Sequence, residues 1–103
     1  MKYTYNNYYN TLNHNDISEA ITFQNTIRTE ASVTTRKNPA PRSNRPLCTY
    51  TFRDFEIKQL SAGIRPTYEL TYIPTGEVIS EPNDAWYSCV TFVWWFYNRH
   101  YTN

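Results

Sequence analysis

Glycine is scarce in this chain, with Gly63 and Gly76 the only two among 103 residues. Phosphate-cradling loops need runs of glycine, so that class of nucleotide site is excluded. Cysteine is equally sparse, with Cys48 and Cys89 alone, too few for a disulfide scaffold. The favoured reading is two buried thiols in a reducing cytosol; a bridge between them is the alternative, should their strands be neighbours. Long hydrophobic runs are missing. The longest, Cys89 to Tyr97 with Thr91 interrupting, is nine residues, against about 20 for a membrane helix. The N-terminal stretch Met1 to Asn10 has no apolar run of the kind a secretory signal requires. No Asn-x-Ser/Thr acceptor occurs. The expectation is a cytoplasmic protein that neither crosses nor binds a membrane.

Aliphatic residues are also few. Leu, Ile, Val and Phe total 20, just under the level associated with disorder. Disorder also needs a high net charge and few aromatics. Here the net charge is +1, and there are ten Tyr, five Phe and three Trp. The rings supply the apolar area that the aliphatics lack. The expectation is one folded domain over 1–103, with a modest core.

Alternation dominates the pattern. From Ile21 to Thr34 one parity reads Ile21, Phe23, Asn25, Ile27, Thr29, Ala31, Val33, and the other is polar throughout. Period two with many Thr favours a strand, or two strands broken near Asn25. A helix beginning near Asn15 or Asp16 competes, because Asp16 and Glu19 resemble a capping box. Residues 36–46 carry +4, three prolines and no acid, which describes an exposed, extended basic loop. Leu47 to Leu60 alternates with a phase change at Arg53-Asp54, the mark of a bulge or bend. Ser61-Ala62-Gly63 reads as a turn, and Tyr68, Leu70 and Tyr72 alternate as a strand. Pro74 and Gly76 mark a hairpin turn before a return strand at Val78-Ile79, and Glu81 to Asp84 is a further turn.

Ala85 to Tyr97 is aromatic, β-branched and Thr-rich, and favours a strand apolar on both faces. The competing helix would be capped by Asn83 or Asp84, with Trp86, Val90, Val93 and Tyr97 on one face. Lys2 to Tyr9 suits a further edge strand. The sum is an all-β fold, a small single-domain sandwich or barrel of about five to six strands with a basic Pro-containing loop.

Catalytic signals are thin. His14 and His100 stand at opposite ends of the chain and fit surface positions better than an acid–base pair. No nucleophile-elbow spacing exists. Asp54 and Glu56 would share a strand face, as any alternating pair does. His14, Asp16 and Glu19 form the only ligand-type cluster, and their spacing suits a helix cap equally well. The expectation is a non-enzymatic protein without metal or cofactor.

Two binding readings remain. A two-faced aromatic strand in so small a domain suggests an interface, with Trp94, Trp95, Phe96 and Tyr97 making contact with a protein partner or a second copy. The competing use of that strand is the protein's own core. The small size and the Tyr/Asn/Thr-rich composition suit an accessory or inhibitor protein of a virus or mobile element. The alternative is single-stranded nucleic-acid binding. Residues 28–65 hold eight basic and three acidic residues, whereas the rest of the chain nets −4. In that reading Arg36, Lys37, Arg42 and Arg45 contact phosphates, and Tyr50, Phe52 and Tyr68 stack on bases. Here too the competing roles are a solvated connector for the loop and core packing for the rings.

Overall fold

Asn13 starts the first helix of the described residues. Its Oδ1 accepts from the Asp16 backbone N–H at 2.9 Å, and Asp16 Oδ2 accepts from the Asn13 N–H at 3.2 Å. This reciprocal pair is a capping box, three residues earlier than the Asp16–Glu19 pattern suggested. The computed structural model describes residues 12–39 and 45–100, and in it α1 spans His14–Glu30. The strand expected over Ile21 to Thr34 is therefore corrected to a helix for most of its length. Asp16, Ala20 and Ile27 are buried and Phe23 is half-buried, a stripe at helical spacing. Two of the threonines that read as β-formers bond back to the helix. Thr22 Oγ1 donates to Ser18 O and Thr29 Oγ1 to Asn25 O. Ala31, at φ −65° and ψ 144°, turns the chain into a strand.

Five strands follow: β1 (Ser32–Arg36), β2 (Leu47–Phe52), β3 (Phe55–Ser61), β4 (Thr67–Tyr72) and β5 (Glu77–Val78). They form one antiparallel sheet in sequence order, β1-β2-β3-β4-β5. The first and last strands are not joined, so the sheet is open rather than a barrel. The phase change at Arg53-Asp54 proves to be a two-residue hairpin, with Phe52 paired to Phe55 and Arg53 at φ 53°. The register places Tyr50, Ile57 and Leu70 in one row and Phe52, Phe55 and Tyr72 in the next, all on one face. A bulge between Gln59 and Ser61 shifts the pairing with β4.

The C-terminal segment, expected as a two-faced strand, is instead a helix, α2 (Trp86–Trp95), continued by a π-helical turn over Phe96–His100. Asn83 adopts a left-handed φ of 57° just before it, and Asp84 Oδ1 accepts from the Ala85 N–H. Ala85, not Asn83 or Asp84, holds the N-cap position. A helix solves the problem of a run apolar on every side. Trp86, Cys89, Val90, Phe92, Val93 and Phe96 all enter the core, where they meet Ile27 of α1 and the inner face of the sheet. Phe55 is fully buried, with the rings of Phe92, Phe96, Tyr72 and Tyr97 all 5.0–6.1 Å from it. Phe23 meets Phe52 edge-on at 5.7 Å. Both helices thus cover the same face of the sheet. Among the described residues the architecture is mostly sheet with two helices on one side, not an all-β sandwich or barrel. The strand expected over Lys2 to Tyr9 lies outside the described residues.

Candidate functional site

In an antiparallel meander every second connection emerges at the same end. The β1–β2 connection (37–46) and the β3–β4 connection (62–66) therefore share one end of the sheet. The β2–β3 turn and the β4–β5 turn share the other. The first end gathers Arg36, Lys37, Arg45 and Arg65, and Arg42 belongs to the same loop in sequence, though it lies outside the described residues. Neither 36–46 nor 61–67 contains an acidic residue. The opposite end holds Glu30, Arg53, Asp54 and Glu77, with Arg53 in an ion pair with Glu30 at 3.2 Å. The basic end is not free of acid, since Asp84 is bridged to Tyr68 at the start of β4.

A polar network stiffens the basic end. Arg36 Nη1 donates to Thr49 Oγ1 at 2.9 Å, and Nη2 donates to the Gln59 carbonyl. Gln59 in turn accepts from the Cys48 N–H at 3.0 Å and donates to the Ser61 carbonyl. The Ser61 and Thr67 hydroxyls lie 2.7 Å apart. Arg36 is half-buried in this network, so its guanidinium anchors the loop as well as charging it. Lys37, Arg45 and Arg65 are exposed. Beside Arg65, Gly63 takes a φ of 128° that permits the tight loop, and Ile64 is completely exposed.

The rings assigned to base stacking are placed differently. Phe52 is 1% exposed and packs between Phe23 and Tyr97, with the Arg53 guanidinium 4.7 Å from its centroid. It has no face to offer a base, so that assignment is corrected. Tyr50 and Tyr68 are half-buried on the inner face, with Trp86 at 4.9 and 5.3 Å. Trp86 donates from Nε1 to Gln24 Oε1 and lies 4.8 Å from the Arg28 guanidinium. Burial raises the pKa of both tyrosines above the ordinary phenol value.

The aromatic quartet expected at an interface is largely used within the chain. Trp94 is 4% exposed and Phe96 is fully buried. Trp95 and Tyr97 are partly buried. The Tyr97 hydroxyl accepts from the Asp54 N–H at 3.0 Å, and desolvation pushes its pKa up to about 12.

The remaining chemistry-bearing residues do not assemble. His14 is exposed at the start of α1, Asp16 is consumed by the cap, and Glu19 is exposed. The His100 side chain lies outside the described set. Asp54 sits in a turn, whereas Glu56 sits in β3. Cys48 is half-buried in β2 and Cys89 is buried in α2, and neither forms a disulfide. Among the described residues no three His, Cys, Asp or Glu side chains cluster as metal ligands, and no helix is long and apolar enough to cross a membrane. A cavity of about 180 Å³ is lined by Leu60, Glu69, Val78, Ser80, Glu81, Pro82 and Asn83. That is smaller than the ~300–1,000 Å³ of typical small-molecule sites. Arg65 is the member of the basic end that alternation alone did not single out; counting hairpin connections would have placed it there. No protein-family model matches the chain, and comparisons with curated proteins and with solved structures return no match either.

Proposed function

We propose that the protein is a small non-enzymatic binding module whose basic sheet end engages the phosphate backbone of single-stranded nucleic acid. The observation that carries this reading is the convergence of Arg36, Lys37, Arg45 and Arg65 at one end of the sheet, with no acid in either connection. Arginine predominates there, and its planar fork suits phosphate oxygens better than a point charge does. The loop residues 37–46 include three prolines, so less conformational entropy is lost when they meet an extended strand. Phe52 is enclosed and Tyr50 and Tyr68 are held against Trp86, so the binding is electrostatic, with little base stacking and little sequence preference.

The test is fluorescence anisotropy of a labelled single-stranded oligonucleotide, titrated at several salt concentrations. Four or five phosphate contacts give a slope of log K against log salt of about −3 to −3.5. Replacing Lys37, Arg45 and Arg65 together by Ala should weaken binding at every sequence and flatten that slope by about 2. Absence of binding at low salt would reject the reading and redirect the basic end to an acidic protein surface. Binding unchanged in the triple variant would reject the assignment of these residues.

A further inference from the structure

We infer that β1 is a self-pairing edge and that two copies of the chain join through it into one continuous antiparallel sheet. The strand Ser32–Arg36 is bonded along one side to β2 and, among the described residues, forms the sheet's edge on the other. Ser32, Val33, Thr34 and Thr35 are all exposed, Val33 at 47%. Natural edges are usually blunted by a lysine, a proline or a bulge. From Ser32 to Thr35 there is none, and three consecutive residues are β-branched, which suits a strand with a neighbour on each side.

The sequence of this edge is complementary to itself. A two-fold axis at Thr34 sets Thr34 against Thr34 of the second copy, Val33 against Thr35 and Ser32 against Arg36. Two β-branched pairs and a threonine pair result, all favourable cross-strand combinations. No like charges face each other within the strand. The same axis sets Ala31 level with Lys37 and Glu30 level with Asn38 of the second copy, so no like charges meet just beyond the strand either. It also sends the two basic ends in opposite directions, which keeps them from repelling each other. A second copy is therefore the occupant that the register favours, and no charge on the edge opposes it. The inference does not rest on the nucleic-acid reading. A five-residue strand pair buries less than a standard interface, so the association should be weak and concentration-dependent.

Sedimentation equilibrium of the full chain from about 10 μM to about 1 mM spans that range of affinity. The wild-type mass should climb from monomer toward dimer. Thr34→Lys places two ammonium groups across the axis and should hold the protein monomeric, with an unchanged melting temperature because the site is exposed. Thr34→Val should dimerise at least as well as the wild type. A monomer throughout the range would overturn the inference. So would a dimer that persists undiminished in Thr34→Lys, since the contact would then lie elsewhere.

Discussion

Removing the ring of Phe55 tests the core most directly. Phe55 is fully buried and pairs with Phe52 across the β2–β3 hairpin. Four rings surround it: Phe96 at 5.0 Å, Tyr72 at 5.3 Å, Tyr97 at 5.8 Å and Phe92 at 6.1 Å. They come from β4, α2 and the π-helical turn, so this one side chain ties the sheet to the C-terminal helix. Phe→Ala at a buried site typically costs about 3–5 kcal/mol, through lost transfer energy and the cavity left behind. The upper half of that range applies here, because rings fixed on separate elements collapse poorly into a void. A domain of this size holds about 5–15 kcal/mol in total, so Phe55→Ala should lose about a quarter or more of its stability. Phe55→Leu keeps most of the apolar volume but forfeits edge-to-face pairs worth about 0.5–1.5 kcal/mol each. It should cost about 1–2 kcal/mol, since the pairs are not additive. Urea unfolding followed by circular dichroism measures both. A cost below about 1 kcal/mol for Phe55→Ala would refute the argument, because it would mean that α2 does not rest on this ring.

Two further outcomes follow from the caps and the phenols. Asn13→Ala removes the acceptor for the Asp16 N–H and leaves Asp16 buried beside an incomplete cap, which should cost about 1 kcal/mol; an unchanged urea midpoint would dissolve the capping box. Tyr50, Tyr68 and Tyr97 have pKa values raised above the unfolded value of 10.0, Tyr97 to about 12. The folded state then holds phenolic protons more tightly than the unfolded chain, so stability is intact below pH 10 and falls as pH rises toward 12. Melting temperatures across that window should decline, and Tyr97→Phe should make the decline shallower. An equal slope in wild type and variant would remove Tyr97 from the account.

Four of the five strands were readable because turn chemistry and alternation agree there. Pro74 and Gly76 stop β4, the parity switch at Arg53-Asp54 separates β2 from β3, and Tyr68, Leu70 and Tyr72 keep one parity through β4. The positive charge between β1 and β2 was readable from composition, but Arg36, expected in the exposed loop, ends β1 half-buried. The two helices were not. In α1 the odd-numbered apolar residues mimic a strand, and the decision falls to Asn13 and to threonines that bond back to carbonyls. In α2 the residues are those a strand prefers, but local preferences span only about 1 kcal/mol, less than the burial that the sheet's inner face offers to a helix apolar on every side. The candidate site divides in the same way: its charges were visible one by one, but their meeting was not.

By itself, then, the amino-acid order determined where the chain turns, which residues alternate and where positive charge accumulates, because these depend on neighbours a few positions apart. The tertiary structure alone decided that Trp94 and Phe96 are interior, that Phe52 is enclosed, and that Arg65 joins Arg36, Lys37 and Arg45 at one end of the sheet. Those outcomes depend on which distant elements share a face or an end, and short-range pattern carries no record of that.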